Sequence, residues 1–400
     1  MGVATDIDME TVQFLMTEDC NLSCVYCYEK HKAKKAISAD FIKKIVFPKM
    51  TEDNGYKQLS IDFFGGEPLL AFKTIREVVE WFHSIRWPPS AKAYRFAITT
   101  NGMLLNKERR AWFAKYRDVV TLCLSLDGTR EAHNRNRNNS YDKVIKNIAF
   151  FKETWPHQPA KMTISQYTID QMYDGIVNIH NLGLPVEANV VFEDVWGSQA
   201  QRFDALQTYA SELDKLVHFY HDNPKLRRPR LIDKNIMALY DGRHVGDDMF
   251  CGAGVQMNCW TADASQYPCM RFAPISTSNP LKNLEQSLDT INTKCRDCPF
   301  ERLCPTCEGH NYEVSGSCHN RTSFHCDFFK VEMMAAAKLF FMENSEEMLA
   351  KDVVGATEEE NLIRLRKLLV VKSIMDYCEH VLETPLGAQV PADSRDFRMQ

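Results

Sequence analysis

No run in these 400 residues approaches eighteen consecutive apolar positions, so a membrane span is not indicated. The N-terminal stretch MGVATDIDMET lacks the basic and apolar regions of a secretory signal, and Asp6 stands where a myristoylation signal carries Ser or Thr. An excess of one charge sign is also missing. With 48 Lys and Arg against 53 Asp and Glu, the net charge of -5 gives no global footprint for nucleic acid. The short basic stretch KHKAKK at 30–35 reads as a solvated loop. Without a secretory signal, the fourteen cysteines do not read as a disulfide framework, and a reducing cytoplasm fits them better. The chain is 44% hydrophobic, enough for a sizeable core in two domains or in one α/β barrel with an appended module.

What is there is sulfur in a pattern. Cys20, Cys24 and Cys27 lie in CNLSCVYC, a C-x3-C-x2-C spacing directly behind an apolar run. Structural zinc takes four tightly held ligands from paired knuckles, whereas three thiolates on one short loop hold three irons of a [4Fe-4S] cube. The fourth iron is then open to another ligand.

The first half alternates short β-rich runs with helical stretches, which is α/β organisation. Expected strands are 12–16, 59–64, 95–99, 120–126, 161–167 and 186–192, with helices such as 40–50 and 72–85 between them. Six such units predict a parallel sheet, open or curled into a partial barrel. Distinctive residues follow the first four strands: CNLSCVYC, then Gly65-Gly66-Glu67-Pro68, then Thr100-Asn101-Gly102, then Ser125-Leu126-Asp127-Gly128. In α/β sheets the loops at the carboxyl ends of strands converge, so four such loops on one rim predict one site. Taken singly, each is also an ordinary turn, and Arg137 is also an ordinary surface charge. Cys123, within an apolar run, reads as a core residue.

In combination and order, these motifs over about 12–192 resemble the radical S-adenosylmethionine (SAM) superfamily. The resemblance implies a partial (β/α)6 barrel in which Cys20, Cys24 and Cys27 hold a [4Fe-4S] cluster and SAM binds its open iron. It further implies that Tyr26 lies beside the adenine and that Gly65, Gly66 and Glu67 form the element near the SAM amino group. Ser125 matches a SAM contact, and Arg137 in HNRNR matches the position that pairs with the SAM carboxylate, a task suited to guanidinium. The sixth strand is the remaining candidate for the adenine pocket.

Nine further cysteines crowd between Cys251 and Cys326: Cys251, Cys259, Cys269, Cys295, Cys298, Cys304, Cys307, Cys318 and Cys326. Two tetrathiolate clusters use eight, and two structural zinc sites are the alternative. The region resembles the SPASM module of radical SAM peptide-modifying enzymes, with Ala264 where that pattern has glycine and with Cys304 to Cys307 one residue short. By the interleaving this resemblance implies, Cys251, Cys259, Cys269 and Cys307 hold the nearer auxiliary [4Fe-4S] cluster. Cys295, Cys298, Cys304 and Cys326 hold the outer one. Cys318 is left over, able to exchange with Cys326, and Cys378 reads as packing.

The expected domains are a radical SAM core at 1–235, a cysteine-rich SPASM module at 236–330 and a helical extension at 331–400. Such enzymes mostly modify peptides or proteins. In sulfatase-maturing relatives an aspartate follows the YPC element, but here Tyr267-Pro268-Cys269 is followed by Met270. Together with CPTCEGHNY at 304–312, this favours thioether formation in a ribosomal precursor peptide. Formylglycine generation, carbon-carbon crosslinking and epimerisation remain alternatives, as do a zinc-bearing binding module and a SAM-binding protein without catalysis. A flavodoxin or ferredoxin is the expected electron donor. Nineteen residues precede Cys20, too few for a leader-recognition domain, so a separate leader-binding protein is an expected partner. No residue presents itself as the catalytic acid or base.

Overall fold

The computed structural model describes residues 8–239, 251–279, 295, 298–301, 303–318, 320–321, 323–349 and 357–383. Parts of the expected SPASM module, at 240–250 and 280–294, and of the helical extension, at 384–400, lie outside the described residues.

The first half alternates as its periodicity predicts. Strand β1 (Met9–Thr17) leads to helix α1 (Ala39–Lys49), β2 (Gln58–Gly65), α2 (Phe72–Ser84), β3 (Ala93–Thr100), α3 (Lys107–Lys115) and β4 (Val120–Leu124). Helices α4 (Arg130–Asn136), α5 (Tyr141–Val144) and α6 (Ile148–Thr154) precede β5 (Ala160–Ile164), α7 (Met172–Asn181) and β6 (Val186–Val190). Strands β1 to β4 pair parallel in sequence order, and β5 pairs parallel with β6. A single bridge from Ser125 to Lys161 joins the two sets, giving the open, curled sheet of a partial barrel. Local chemistry explains the helices. In α2 the buried side chains are Phe72, Ile75, Val78, Val79 and Phe82, one stripe at helical spacing. Ser38 caps α1 by accepting from Phe41 N–H.

Three expected strands stop early, at Leu124, Ile164 and Val190. At the β4–β5 junction the reason is visible. Thr163 N–H donates to the Asp127 side chain (3.0 Å), so a carboxylate replaces the next ladder partner.

The second half extends the first sheet. After α8 (Gln199–Asp222), strand β7 (Met257–Trp260) pairs parallel with β1 on its free edge, and β8 (Gln266–Tyr267) pairs antiparallel with β7. The sheet order is therefore β4-β3-β2-β1-β7-β8, and β1 becomes a central strand. Both its faces are covered: Val12, Phe14 and Met16 enter the main core, while Leu15 packs with Ala273 and Ile275. Helix α9 (Glu308–Ser315) follows Cys307, and α10 (Ser323–Leu349) runs unbroken across the expected division at 330/331. On α10, Glu332 accepts from Tyr209 of α8 (2.9 Å) and from Lys234 (2.7 Å). Helix α11 (Glu358–Cys378) completes the described order. Among the described residues no helix is long and apolar enough to cross a membrane.

Candidate functional site

The four distinctive loops do meet on one rim. Gly66 N–H donates to Thr17 O (3.0 Å) and Glu67 N–H to Asp19 O (2.9 Å), laying the glycine loop on the backbone that leads into Cys20. A Cβ on Gly66 would stand 2.1 Å from Asp19 O, so only glycine permits this contact. Glu67, almost fully buried, spends its carboxylate on Thr100 Oγ1, Asn101 N–H and Leu69 N–H. It ties the second loop to the third. Asn101 in turn donates to Asn21 in the cysteine loop (2.8 Å). Ser125, also buried, donates its N–H to Thr100 O (2.9 Å), which adds the fourth loop.

Opposite stands a buried carboxylate that sequence reasoning quoted but gave no task. Asp127 Oδ2 accepts from Tyr26 Oη (2.7 Å), Arg137 Nε (2.9 Å) and Asn136 Nδ2 (3.2 Å). Tyr26 and Arg137, both assigned to the implied cofactor, are therefore held by one residue. The guanidinium lies 5.3 Å from the Tyr26 ring centre, and its Nη1 is 3.9 Å from Cys24 Sγ. Asp127 and Arg137 are both buried, so each supplies the other's countercharge. The SLDG motif and the HNRNR segment carried the signal, but their pairing needs the fold.

The three loop thiols are partly buried, and burial pushes each above the ordinary thiol range, Cys24 to about 11. Cys27 and Cys20 oppose the ionisation of Cys24, and Cys27 opposes that of Cys20. Arg137 favours the Cys24 thiolate, and Lys32 favours those of Cys20 and Cys27. Three soft donors on one loop, with cations beside them, fit an iron-sulfur cluster.

The second cysteine field separates into two neighbourhoods. Cys269 is pushed well above the ordinary thiol value by burial, and Cys307, Cys251 and Cys259 add to the effect. Cys304 is pushed to about 12, again by burial, with Cys326, Cys298 and Cys295 adding and Arg321 opposing. Cys318 is buried beside Cys269, Phe272 and Tyr312, and its carbonyl accepts from Asn311 Nδ2 (2.8 Å). A small cavity lined by Cys304, Cys307, His325 and Cys326 shows that the sets abut. Among the described residues no three His, Cys, Asp or Glu side chains converge on a single-ion site. Ala264 has φ +64°, the left-handed conformation that glycine takes most readily, so the substitution keeps the turn at a steric cost.

Cys123 departs from its expected place. Val120, Leu122 and Leu124 enter the core, while Thr121 and Cys123 alternate onto the other face of β4. There Gln158 Nε2 donates to Cys123 Sγ (2.8 Å). Cys378 is fully buried in the core, as expected.

Between the two cysteine regions lies a cavity of about 260 Å³. Tyr26, Cys27 and Tyr28 form one wall, and Glu193, Arg271 and α9 form the other. Arg271 stacks 3.8 Å over the Tyr28 ring and forms an ion pair with Glu193. Sequence reasoning named neither Arg271 nor Glu193, because their partners lie in distant segments.

Comparison with known proteins places similar sequences and folds beside this chain. Residues 14–164 match the model of the Radical SAM superfamily. The radical SAM cyclopropyl synthase TigE of Paramaledivibacter caminithermalis is 25% identical over 216 residues, covering 48% of this chain and 44% of the relative. The cysteine-type anaerobic sulfatase-maturating enzyme of Clostridium novyi is 23% identical over 367 residues, covering 78% and 91%. The chain thus spans less than half the length of TigE. Among solved structures, native anSMEcpe with bound AdoMet superposes with a TM-score of 0.65 at 17% identity, covering 84% of this chain and 100% of that one. Streptococcus suis SuiB bound to precursor peptide SuiA gives 0.53 at 19% identity, covering 78% and 75%.

Proposed function

From a chain whose residues 14–164 are a radical SAM domain, homologous to enzymes that mature sulfatases and peptides, we propose a maturase that forms thioether crosslinks in a ribosomally made peptide. The observation that carries this reading is the cavity between the first cysteine loop and the second cysteine field. Cys20, Cys24 and Cys27 would hold the SAM-binding [4Fe-4S] cluster, and the two later sets of four would hold the auxiliary clusters. Tyr26, Gly65, Gly66, Ser125 and Arg137 would bind SAM. Glu67 would act through the loops it ties together. Bound there, a reduced cluster with SAM would supply the radical chemistry that removes hydrogen from an unactivated carbon.

The protein's own part is to orient and to exclude water. Arg271 and Glu193, paired across the cavity wall, offer a charged but neutralised surface to a peptide backbone. Forming the C–S bond removes one hydrogen atom from carbon, one proton from the thiol and one electron. The abutting thiol sets offer a route for that electron. A flavodoxin or ferredoxin would reduce the first cluster, and a separate protein would present the leader segment. The test is mass spectrometry of cysteine-containing peptides translated from any short reading frames beside this gene, incubated anaerobically with SAM and reductant. A loss of two hydrogens per crosslink is expected. An unchanged mass with intact clusters would sink the proposal.

Formylglycine generation is the second reading, favoured by an alignment that covers 91% of the sulfatase-maturating relative. Against it stands Met270. It is buried and carries no carboxylate where the sulfatase pattern has one. Conversion of a sulfatase cysteine to formylglycine under the same conditions would reverse the ranking.

A further inference from the structure

His133 is fully buried in α4, four residues before Arg137, and it touches neither a thiol nor the cavity. Both ring nitrogens have partners. Asp127 N–H donates to Nδ1 (3.2 Å), which makes Nδ1 an acceptor and leaves the proton on Nε2. Nε2 lies 2.9 Å from Ser140 Oγ, and that hydroxyl donates onward to Arg137 O (2.7 Å). Arg137 N–H closes the loop by donating to His133 O (2.7 Å). The imidazole therefore braces the backbone of Asp127 from one nitrogen and, through Ser140, the backbone of Arg137 from the other.

We propose that His133 is a positioning residue for SAM: its rigid ring fixes the separation of Asp127 and Arg137, and so aims the guanidinium at the carboxylate of the bound cofactor. This rests on the reading that Arg137 pairs with that carboxylate. Arg137 needs such bracing because its helix ends there. It is the C-cap residue of α4, with φ -130° and ψ 46°: its N–H makes the last hydrogen bond of the helix, but its carbonyl lies past the helical ladder and is held by Ser140 instead. A neutral ring is required, since Nδ1 must accept. Burial supplies that condition by holding the ring's pKa down at about 4.

The experiment measures SAM affinity by equilibrium dialysis on the anaerobically reconstituted full chain. It also records the electron paramagnetic resonance (EPR) spectrum of the reduced first cluster with and without SAM. His133→Ala is expected to weaken SAM about tenfold. It should alter the SAM-dependent spectrum while leaving iron content and the SAM-free spectrum unchanged. His133→Asn, which offers an acceptor where Nδ1 lies, should recover part of the affinity. Ser140→Ala should weaken it in the same direction by a smaller factor. Unchanged SAM affinity in His133→Ala would overturn the proposal. If that variant does not hold iron, unchanged affinity in both His133→Asn and Ser140→Ala would do so. Failure of the unsubstituted enzyme to bind SAM would overturn the cofactor reading together with this inference.

Discussion

The hydroxyl of Tyr28 donates to the sulfur of Met270 at 3.3 Å, so the first cysteine loop touches the residue that follows the YPC cysteine. Met270 also donates its N–H to Gln13 in β1 (3.2 Å), and its side chain is buried. The contact joins the two cysteine regions at the edge of the cavity. It also explains how a thioether can occupy this place, since a soft sulfur both packs and accepts.

Met270→Ala should therefore lower stability by about 2–4 kcal/mol, because it opens a void beneath Tyr28. Met270→Leu conserves volume and should cost less than about 1.5 kcal/mol. Urea unfolding midpoints of the anaerobically purified variants would check both. Equal loss in the two variants would mean that the sulfur contact, not the packing, holds the regions together.

Asp127→Asn should be the most damaging conservative change on the rim. It leaves the buried Arg137 without its countercharge, a loss of about 3–5 kcal/mol for a buried pair broken on one side. Thermal unfolding would read the loss, and SAM affinity should fall with it. A variant as stable as the parent would show that Tyr26, Asn136 and Thr163 hold the site without the charge.

Much of this site was legible in the sequence, because strand-end loops announce themselves by unusual residues at regular spacing. The first four strands and the glycine loop follow from local pattern, whereas the division of the later cysteines into two sets came only from the family resemblance. Other features did not. Strand β7 is only Met257–Trp260, too short to signal, and its pairing with β1 spans most of the chain. The core reading of Cys123 failed for a simpler reason. The run VTLCL alternates, and period two places Thr121 and Cys123 on the face away from Val120, Leu122 and Leu124. His133 was invisible because each of its ring partners belongs to a different turn.

Ala264→Gly should stabilise the β7–β8 turn. An alanine in the left-handed region costs about 1–2 kcal/mol. The added freedom of glycine in the unfolded chain returns about 0.4–1 kcal/mol of that. A net gain of roughly 0.5 kcal/mol is expected in the midpoint of chemical unfolding. A loss would show that the Ala264 methyl makes packing contacts that outweigh its strain.

Acid should loosen the base of the sheet through Glu10. Burial alone would raise its pKa, but hydrogen bonds from Lys49, Asn54 and Lys92 outweigh that and hold it below the usual carboxylate value. A group depressed in the folded state stabilises above its unfolded pKa and loses that contribution as pH falls through the folded one. Stability should therefore decline below about pH 4.5, and Glu10→Gln should flatten that part of the profile. The two proteins, compared by urea midpoint from pH 7 to pH 3, should converge at the acid end. Parallel curves would assign the acid loss to other carboxylates.

Tyr377, near the end of α11, reaches the outer thiol set: its hydroxyl donates to Cys298 Sγ at 3.9 Å, and its ring meets Phe300 edge-on at 5.2 Å. A hydrogen bond to a ligating thiolate favours the more reduced, more negative state of a cluster and so raises its potential. Tyr377→Phe keeps the ring and its packing but removes the donor. The auxiliary cluster proposed for the outer set should then become harder to reduce, while the proposed SAM-binding cluster keeps its potential. EPR-monitored redox titration of the reconstituted enzyme would resolve the two. An unshifted outer potential would show that α11 only covers the proposed outer cluster. Absence of a third EPR signal, with fewer than about twelve irons per chain, would mean that the outer set holds no [4Fe-4S] cluster.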